Sequence, residues 1–364
     1  MSSLDLSEQE IIRRNSLDQM RQLGIDPYPA AEYKVTAYTK EIKASFKDDD
    51  APRQVVIAGR IMSRRIMGKA SFIELQDSEG RIQVYISRDD LCPGEDKELY
   101  NTVFKKLTDI GDFVGIKGFV FRTQMGEITV HAQELTILSK SLRPLPVVKM
   151  KDGVAYDAFT DPELRYRQRY VDLIVNDGVK EIFLKRTKVF NAMREFMNAH
   201  GYIEVDTPVL QSIPGGASAR PFITHHNTLN IPLYLRIANE LYLKRLIVGG
   251  FEGVYEFSRD FRNEGMDRTH NPEFTVMELY VAYKDYNWMM KFTEEMLEKT
   301  CLATNGTTEV KMGDNVISFK APFKRITMTD SIKEFTGIDI TGMDEPQLRE
   351  VCRQLNIEVD ETMG

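Results

Sequence analysis

Tyr255-Glu256-Phe257-Ser258-Arg259-Asp260-Phe261-Arg262-Asn263-Glu264 is followed, after the five residues Gly265–Thr269, by His270-Asn271-Pro272-Glu273-Phe274. The first run reads as the end of a strand with Arg262 and Glu264 on one face, and the second opens the next strand. The expected unit is a hairpin. It gathers a guanidinium, a carboxylate, an imidazole and an aromatic ring around one turn. Arginine grips a phosphate or a carboxylate bidentately, and a ring can stack on a purine. The plain alternative is a surface hairpin with an Arg–Glu pair, which is common. FRxE followed by HxxxF at this spacing is hard to produce by chance, and favours a functional hairpin.

Working outward, a helix is expected from about Val179 to Ala199, with Ile182, Val189, Met193 and Phe196 on one face and Gly201 at a left-handed C-cap. Strands are expected at Leu233–Ile237, Val254–Phe261 and Phe274–Tyr283, with a helix across Glu240–Val248. There is no regular βαβ rhythm, so this half reads as α+β with a largely antiparallel sheet. Arg143-Pro144-Leu145-Pro146 marks a boundary. Before it the pattern has period two: Val55–Ile61, Ser71–Gln76, Ile82–Ile86, Asp112–Arg122 and Ile128–Leu138. A less regular segment, Asp89–Thr108, separates the third and fourth. Five strands with a helical insertion after the third match an OB-fold barrel, which often binds oligonucleotides. Ser7 and Glu10 have the capping-box spacing of a first helix ended by Gly24, and Asp48-Asp49-Asp50-Ala51-Pro52 reads as a solvated connector.

The chain has 364 residues with 48 Lys+Arg, 55 Asp+Glu and three cysteines, room for about two domains. A net charge of −7 argues against a pure nucleic-acid-binding module, which would be expected to be basic, and confines any RNA contact to a minority of the surface. No apolar run approaches the ~20 residues that span a bilayer, so no membrane partner is expected. The opening MSSLDLSEQE is charged where a signal peptide is apolar. Three scattered cysteines argue against disulfides or a zinc cluster, and together these fit a reduced, cytoplasmic compartment. On the barrel, alternation puts Ile73 and Leu75 inward and Phe72 outward, with Gln83 and Tyr85 outward on the next strand. An outward aromatic beside amides can stack an unpaired base; a lone exposed Phe is the equal alternative. Glu134 sits where inward parity slips between Ala132 and Leu135, as at a bulge. His225 and His226 point to opposite faces of a strand and do not make a metal pair. Trp288 and Met289–Met296 read as core helix, and the Arg- and Tyr-rich Asp157–Tyr170 as a structural crossover.

Phe261-Arg262-Asn263-Glu264 with His270–Phe274 resembles motif 2 of class II aminoacyl-tRNA synthetases. His200-Gly201-Tyr202-Ile203-Glu204-Val205-Asp206-Thr207-Pro208 resembles motif 1, whose proline lies at a dimer interface. With an N-terminal OB barrel this is the class IIb arrangement of the lysine, aspartate and asparagine enzymes. Gly215–Phe222, Asp161–Tyr170 and Leu241-Tyr242-Leu243-Lys244-Arg245 resemble the lysine branch in its bacterial form. The resemblance implies an ATP-dependent lysine–tRNA ligase acting on L-lysine and tRNA(Lys), working as a homodimer through Pro208. The implied divisions are a helical extension (1–50), an OB-fold anticodon-binding domain (55–140), a linker (141–176) and a class II catalytic domain (177–364) with an insertion over 305–364. Arg262 would bind the lysine carboxylate and the ATP α-phosphate. His270 would lie on the γ-phosphate side, Asn271 beside it in the ATP site, and Phe274 under the adenine. Glu264 would hydrogen-bond near the nucleotide or the tRNA 3′ end. Glu240 and the Gly216 carbonyl would hold the α-ammonium, while Glu278 and Tyr280 would reach the ε-ammonium. Phe72, Gln83 and Glu134 match anticodon-reading positions.

One departure from the family is expected to matter. Class II enzymes carry a third motif, a Gly-rich strand and helix whose arginine covers the other face of the adenine. None is found from Tyr283 to Gly364, where a helix (about Trp288–Ala303), a hairpin around Gly313-Asp314-Asn315 and helices near Asp330–Phe335 and Glu345–Leu355 are expected. The chain is therefore expected to be a fragment cut before motif 3, impaired in forming lysyl-adenylate, with the family's Mg²⁺ ligands beyond residue 364 and no metal site of its own. Three rivals are weighed. An RNA-binding module with a silent synthetase-like domain would lose the Arg–Glu–His–Phe set, which is intact. An aspartate or asparagine enzyme would place cationic or amide groups where Glu278 and Tyr280 stand. A paralogue that lysylates protein would resemble only the catalytic half.

Overall fold

The computed structural model describes residues 6–48, 51–146, 149–151, 154–156 and 158–362; Asp49 and Asp50 of the connector and Asp157 of the crossover lie outside them. The chain divides into two compact units, Met1–Val179 and Lys180–Gly364.

In the first unit, Ser7 caps α1 (Glu8–Gln22) in a complete capping box with Glu10, and α2 (Thr39–Ser45) follows. Five strands close into a barrel: β1 (Gln54–Met67), β2 (Ala70–Gln76), β3 (Arg81–Ser87), β4 (Phe113–Arg122) and β5 (Ile128–Ser139), in the order β1-β2-β3-β5-β4. The expected first strand is extended by six residues. β1 pairs with β4 through Gln54–Arg60, then bends at Ile61/Ser63 and continues against β2. One long bent strand thus closes two seams, which a seven-residue strand could not do. Alternation works as expected: Ile73, Leu75, Ile82, Val84 and Ile86 are buried in the barrel core. Truncating one of them to Ala would cost about 2–5 kcal/mol.

The irregular stretch between β3 and β4 forms a short α3 (Arg88–Leu91) and a wide π-helical segment, Leu99–Leu107. Tyr100, Val103, Phe104 and Leu107 of this segment join the same core. The parity slip near Glu134 is a bulge, because Lys117 pairs with Glu134 while Gly118 pairs with Ala132. A Cβ on Gly118 would stand 1.9 Å from the His131 carbonyl oxygen, so only glycine fits there. A small hairpin, β6 (Lys149–Lys151) and β7 (Val154–Tyr156), precedes α4 (Pro162–Arg167) and α5 (Arg169–Val175). The buried Asp172 accepts from Arg165 and Asn176 and pairs with Arg169. The arginines of the crossover therefore serve its own fold.

In the second unit, α6 (Val179–Ala199) leads to β8 (Ile203–Glu204) and β9 (Leu210–Gln211). Then come β10 (Ile223–His226), β11 (Ile231–Leu235), α7 (Glu240–Val248), β12 (Gly253–Phe261), β13 (Glu273–Val281) and α8 (Tyr286–Asn305). The main sheet is β13-β12-β8, antiparallel except for β8, and a second sheet is β10-β11-β9. One face of β12–β13 (Tyr255, Phe257, Met277, Leu279) packs with Met193, Phe196 and Met197 of α6 and Trp288, Phe292 and Met296 of α8. The remainder is the hairpin β14 (Glu309–Met312) and β15 (Asn315–Ser318), then α9 (Met328–Thr336) and α10 (Glu345–Gln354).

Three expectations need correction. The strand at Leu233–Ile237 lies two residues earlier, because the chain leaves the ladder at Arg236, whose side chain is drawn into a buried polar group. Phe274–Tyr283 ends at Val281, and Tyr283 adopts φ 60°. The α6 face is buried only in its second half: Phe196 is 4% exposed, whereas Ile182 is 66% exposed.

Candidate functional site

Strand alternation builds the candidate site on the sheet face opposite the α6–α8 core. The register sets Tyr280 opposite Val254, Glu278 opposite Glu256, Val276 opposite Ser258 and Phe274 opposite Asp260. Here the expected hairpin is corrected. β12 ends at Phe261 and β13 starts at Glu273, so the loop is longer than five residues, and Arg262 and Glu264 lie past the strand end. Pro272 has no N–H to extend the ladder, but its carbonyl still accepts from Arg262 N at 2.9 Å. Arg262 thus keeps the site face, and its guanidinium lies 5.1 Å from the centroid of the Phe274 ring. Its Nε is buried with no hydrogen-bond partner among the described residues. An unsatisfied buried guanidinium nitrogen points to an acceptor that a ligand brings.

Glu278 is half-buried and accepts from the Tyr280 hydroxyl at 3.0 Å. Burial raises its pKa, with Asp260, Glu240 and Glu256 pushing the same way and the Tyr280 hydrogen bond opposing. Burial and the neighbouring Glu278 push the Tyr280 phenol far up as well. Glu240 opens α7, where the helix N-terminus favours an anion, and pairs with Lys244 one turn on. Lys244 Nζ also lies 6.0 Å from the Tyr280 ring centroid. Gly216 has φ 89°, and a Cβ there would stand 3.0 Å from Glu240 Cβ and 3.1 Å from Ala238 Cβ. Glycine therefore lets this loop lie directly on the start of α7.

Glu264, His270 and Asn271 lie on the exposed loop between β12 and β13. Glu264 accepts from Arg220 N at 3.1 Å. His270 Nδ1 is 2.8 Å from Asp267 Oδ2, and Asp267 also accepts the Thr269 and His270 N–H groups. The His270 ring and these N–H groups hold the Asp267 carboxyl well below the usual carboxylate range. Asn271 bonds the Glu273 carbonyl. Pro208 follows Thr207, whose Oγ1 donates to the buried Glu256 at 2.7 Å. The structure thus brings Arg262, Phe274, Glu278 and Tyr280 to one sheet face, with Glu240 and Gly216 together at the α7 end. Sequence reasoning missed Glu256, Asp260 and Lys244. The parity of β12 gave a signal for the first two, since both share the face of Arg262; for Lys244 the i,i+4 spacing from Glu240 was the cue.

On the barrel, Phe72 and Gln83 border a groove of about 680 Å³ that is also lined by Arg64, Arg65, Arg81 and Glu127. Arg65 lies over the Phe72 ring at 5.2 Å, the rings of Phe72 and Tyr85 are 5.1 Å apart, and Gln83 Nε2 donates to Thr129 Oγ1 at 3.1 Å. Glu134 is not part of this groove; it sits on the β5 bulge, paired with Lys117 at 2.7 Å. The basic and acidic side chains of the groove were not singled out in the sequence, where nothing marks Arg64, Arg65 or Glu127 as neighbours of Gln83.

The sequence pattern of a family described as "tRNA synthetases class II (D, K and N)" matches residues 161–361. The chain belongs to this family. The pattern of the "OB-fold nucleic acid binding domain" matches residues 55–138, in agreement with the barrel. Among curated relatives, the lysine–tRNA ligase of Porphyromonas gingivalis is 74% identical over 366 residues, covering 100% of this chain and 63% of the relative. That of Azobacteroides pseudotrichonymphae is 69% identical, covering 99% and 72%. That of Christiangramia forsetii is 65% identical, covering 99% and 63%. This class II synthetase chain therefore spans about 63% of the length of the P. gingivalis relative. No helix among the described residues is long and apolar enough to cross a membrane.

Proposed function

We propose that the chain belongs to a lysine–tRNA ligase, which joins lysine to ATP as lysyl-adenylate and transfers the lysyl group to the 3′ end of tRNA(Lys). The observation that carries this reading is the unsatisfied Arg262 Nε on the same sheet face as the Glu278–Tyr280 pair. The lysine carboxylate and the ATP α-phosphate repel one another. Arg262 at their meeting point holds both, and stabilises the negative charge on the α-phosphoryl oxygens as a carboxylate oxygen attacks the α-phosphorus in line and pyrophosphate leaves. Phe274, now under the Arg262 guanidinium, offers its ring to the adenine. His270 and Asn271, on the loop fastened by Asp267, serve the triphosphate side, with Glu264 near the nucleotide or the tRNA end. Glu240 and the Gly216 carbonyl take the α-ammonium, while Glu278 and Tyr280 take the ε-ammonium. A buried unpaired carboxylate on a wrong substrate would cost several kcal/mol, on the order of 3–5. This disfavours aspartate.

The groove at Phe72 and Gln83 is read as the anticodon site, where Phe72 stacks a base and Gln83 bonds its edge; Glu134 is assigned more distantly, on the β5 bulge. We infer a cytoplasmic homodimer formed through the Pro208 segment, supported by the exposed Ile182, Leu184 and Leu210. Among the described residues no group of three or more His, Cys, Asp or Glu side chains is arranged to hold a metal ion. Mg²⁺ enters the proposal as a partner of ATP only, and no step is derived through it.

Calorimetric titration with L-lysine tests the pocket. Micromolar to millimolar binding by this chain, lost in Glu278→Gln, is expected; aspartate binding in place of lysine would overturn it. Lysine-dependent ATP–pyrophosphate exchange tests the rest. Exchange is expected to be poor without the Gly-rich third motif, and near-normal exchange by these 364 residues would sink that expectation.

A further inference from the structure

Beneath the proposed pocket lies a buried group of charges that the reaction as written does not use. Arg236, 3% exposed, directs Nη1 to Glu256 Oε1 at 2.8 Å, and its Nε is 3.3 Å from Asp260 Oδ1. The same Nε donates its hydrogen to the Arg259 carbonyl (2.9 Å), so its contact with Asp260 is an ion pair, and Nη1 also donates to the Thr207 carbonyl (3.0 Å). Glu256 also accepts from Thr207 Oγ1 (2.7 Å) and Asn239 Nδ2 (3.2 Å), and Asp260 accepts from Ser258 Oγ (3.0 Å). Every member is therefore fixed by at least two contacts.

Two carboxylates share one guanidinium, so the group carries a surplus negative charge when both are ionised. A fold selected for stability alone gains little from such an arrangement, since buried ion groups seldom improve on well-packed apolar side chains. Its position is informative. Glu256 stands directly opposite Glu278 in the ladder, a like-charged cross-strand pair that is unfavourable until a cation arrives. Asn239, which holds Glu256, immediately precedes Glu240. Asp260 stands opposite Phe274 and two residues before Arg262. The surplus charge thus lies beside Glu278 on the same sheet face and one residue from Glu240 through Asn239, in a place where salt screens it weakly.

We propose that the Glu256–Arg236–Asp260 triad is a positioning and specificity layer of the amino-acid pocket, a fixed negative charge beside Glu278 that favours a substrate with a cationic side chain over a neutral one of the same shape. The inference rests on the reading of this pocket as a lysine site. It assigns a function to three buried residues that the proposed reaction does not use.

The test compares L-lysine with L-norleucine, which keeps the carbon chain and lacks the terminal ammonium, on the full chain and on Asp260→Asn. This change keeps the side-chain shape and removes one charge. Lysine affinity is expected to fall about tenfold, with norleucine competition changing by about twofold or less. Glu256→Gln, which removes the charge from the other carboxylate, gives the same readout where Asp260→Asn does not fold; circular dichroism checks both. If the unmodified chain binds no lysine, the pocket reading falls and this inference falls with it. If it binds lysine and the variants weaken both ligands equally, or leave lysine unchanged, the triad is a structural tie only and the inference alone is overturned.

Discussion

Glu278 shows how a single residue can be set against its own fold. Its carboxyl is half-buried opposite Glu256, with Asp260 and Glu240 nearby, and its pKa is raised by burial and by these charges. A carboxyl whose folded pKa lies above its unfolded value leaves the fold fully stable below the unfolded value, near 4.5, and destabilises it as pH rises through the folded value. Glu278→Gln should therefore raise the melting temperature of the ligand-free chain at pH 7, lose that gain below about pH 4.5, and abolish lysine binding. Thermal melts at the two pH values, run beside lysine titrations, check this. A lower melting temperature at pH 7 would mean that the hydrogen bond from Tyr280 outweighs the repulsion. Arg262 is the complementary case: its Nε is a buried donor with no hydrogen-bond partner among the described residues, which the proposed substrate anions would satisfy. Both residues were legible in the sequence because their chemistry stands in a motif. Arg236 was not, since it comes from the segment after β11 and meets Glu256 only after folding.

At the scale of elements, strands were legible where they alternate and illegible where they turn. β2 and β3 appear as read because each has one buried and one open face. β1 ran on past Ile61 because barrel closure demands a strand that serves two neighbours, and no local pattern encodes that. The hairpin loop was read too short because Asp267 gathers Thr269 and His270 into a turn of its own ahead of Pro272. The loop at Gly216 gives a prediction of this kind. Its φ of 89° and its closeness to Glu240 Cβ leave no place for a side chain, so Gly216→Ala must lift the loop from the start of α7. Lysine affinity should fall about tenfold or more, with a stability loss of about 1 kcal/mol, the scale of a single strained residue. Titration and denaturant melts of this variant check it; unchanged lysine affinity would remove Gly216 from the site.

At the scale of the molecule, the two compact units present different kinds of surface. In the second unit, α6 buries its C-terminal half but leaves Ile182 and Leu184 exposed, an apolar patch of the kind that marks an interaction site. Ile182→Asp is expected to shift sedimentation from dimer to monomer; an unmodified chain that sediments as a monomer would overturn the homodimer reading. In the first unit, a chain with net charge −7 can hold RNA only by concentrating cations locally, as Lys43, Arg65 and Arg81 are concentrated around Phe72 and Gln83, while the Arg64 guanidinium is spent on the Phe104, Lys105 and Thr108 carbonyls. Cations and aromatic rings then leave different marks on binding. With three phosphates neutralised on a single-stranded loop, the affinity for a tRNA(Lys) anticodon stem–loop should fall with salt at a log–log slope of about −2. Arg65→Ala should lower the affinity and flatten that slope by about 0.7, one phosphate's share. Phe72→Ala should weaken binding by about 1–3 kcal/mol, the value of a stacked base, at every salt concentration and with the slope unchanged. Filter binding of the stem–loop across a salt series separates the two effects. A Phe72→Ala line that converges with the unmodified line at high salt would show that the ring only positions Arg65, whose guanidinium lies above it, and that the groove reads charge rather than a base.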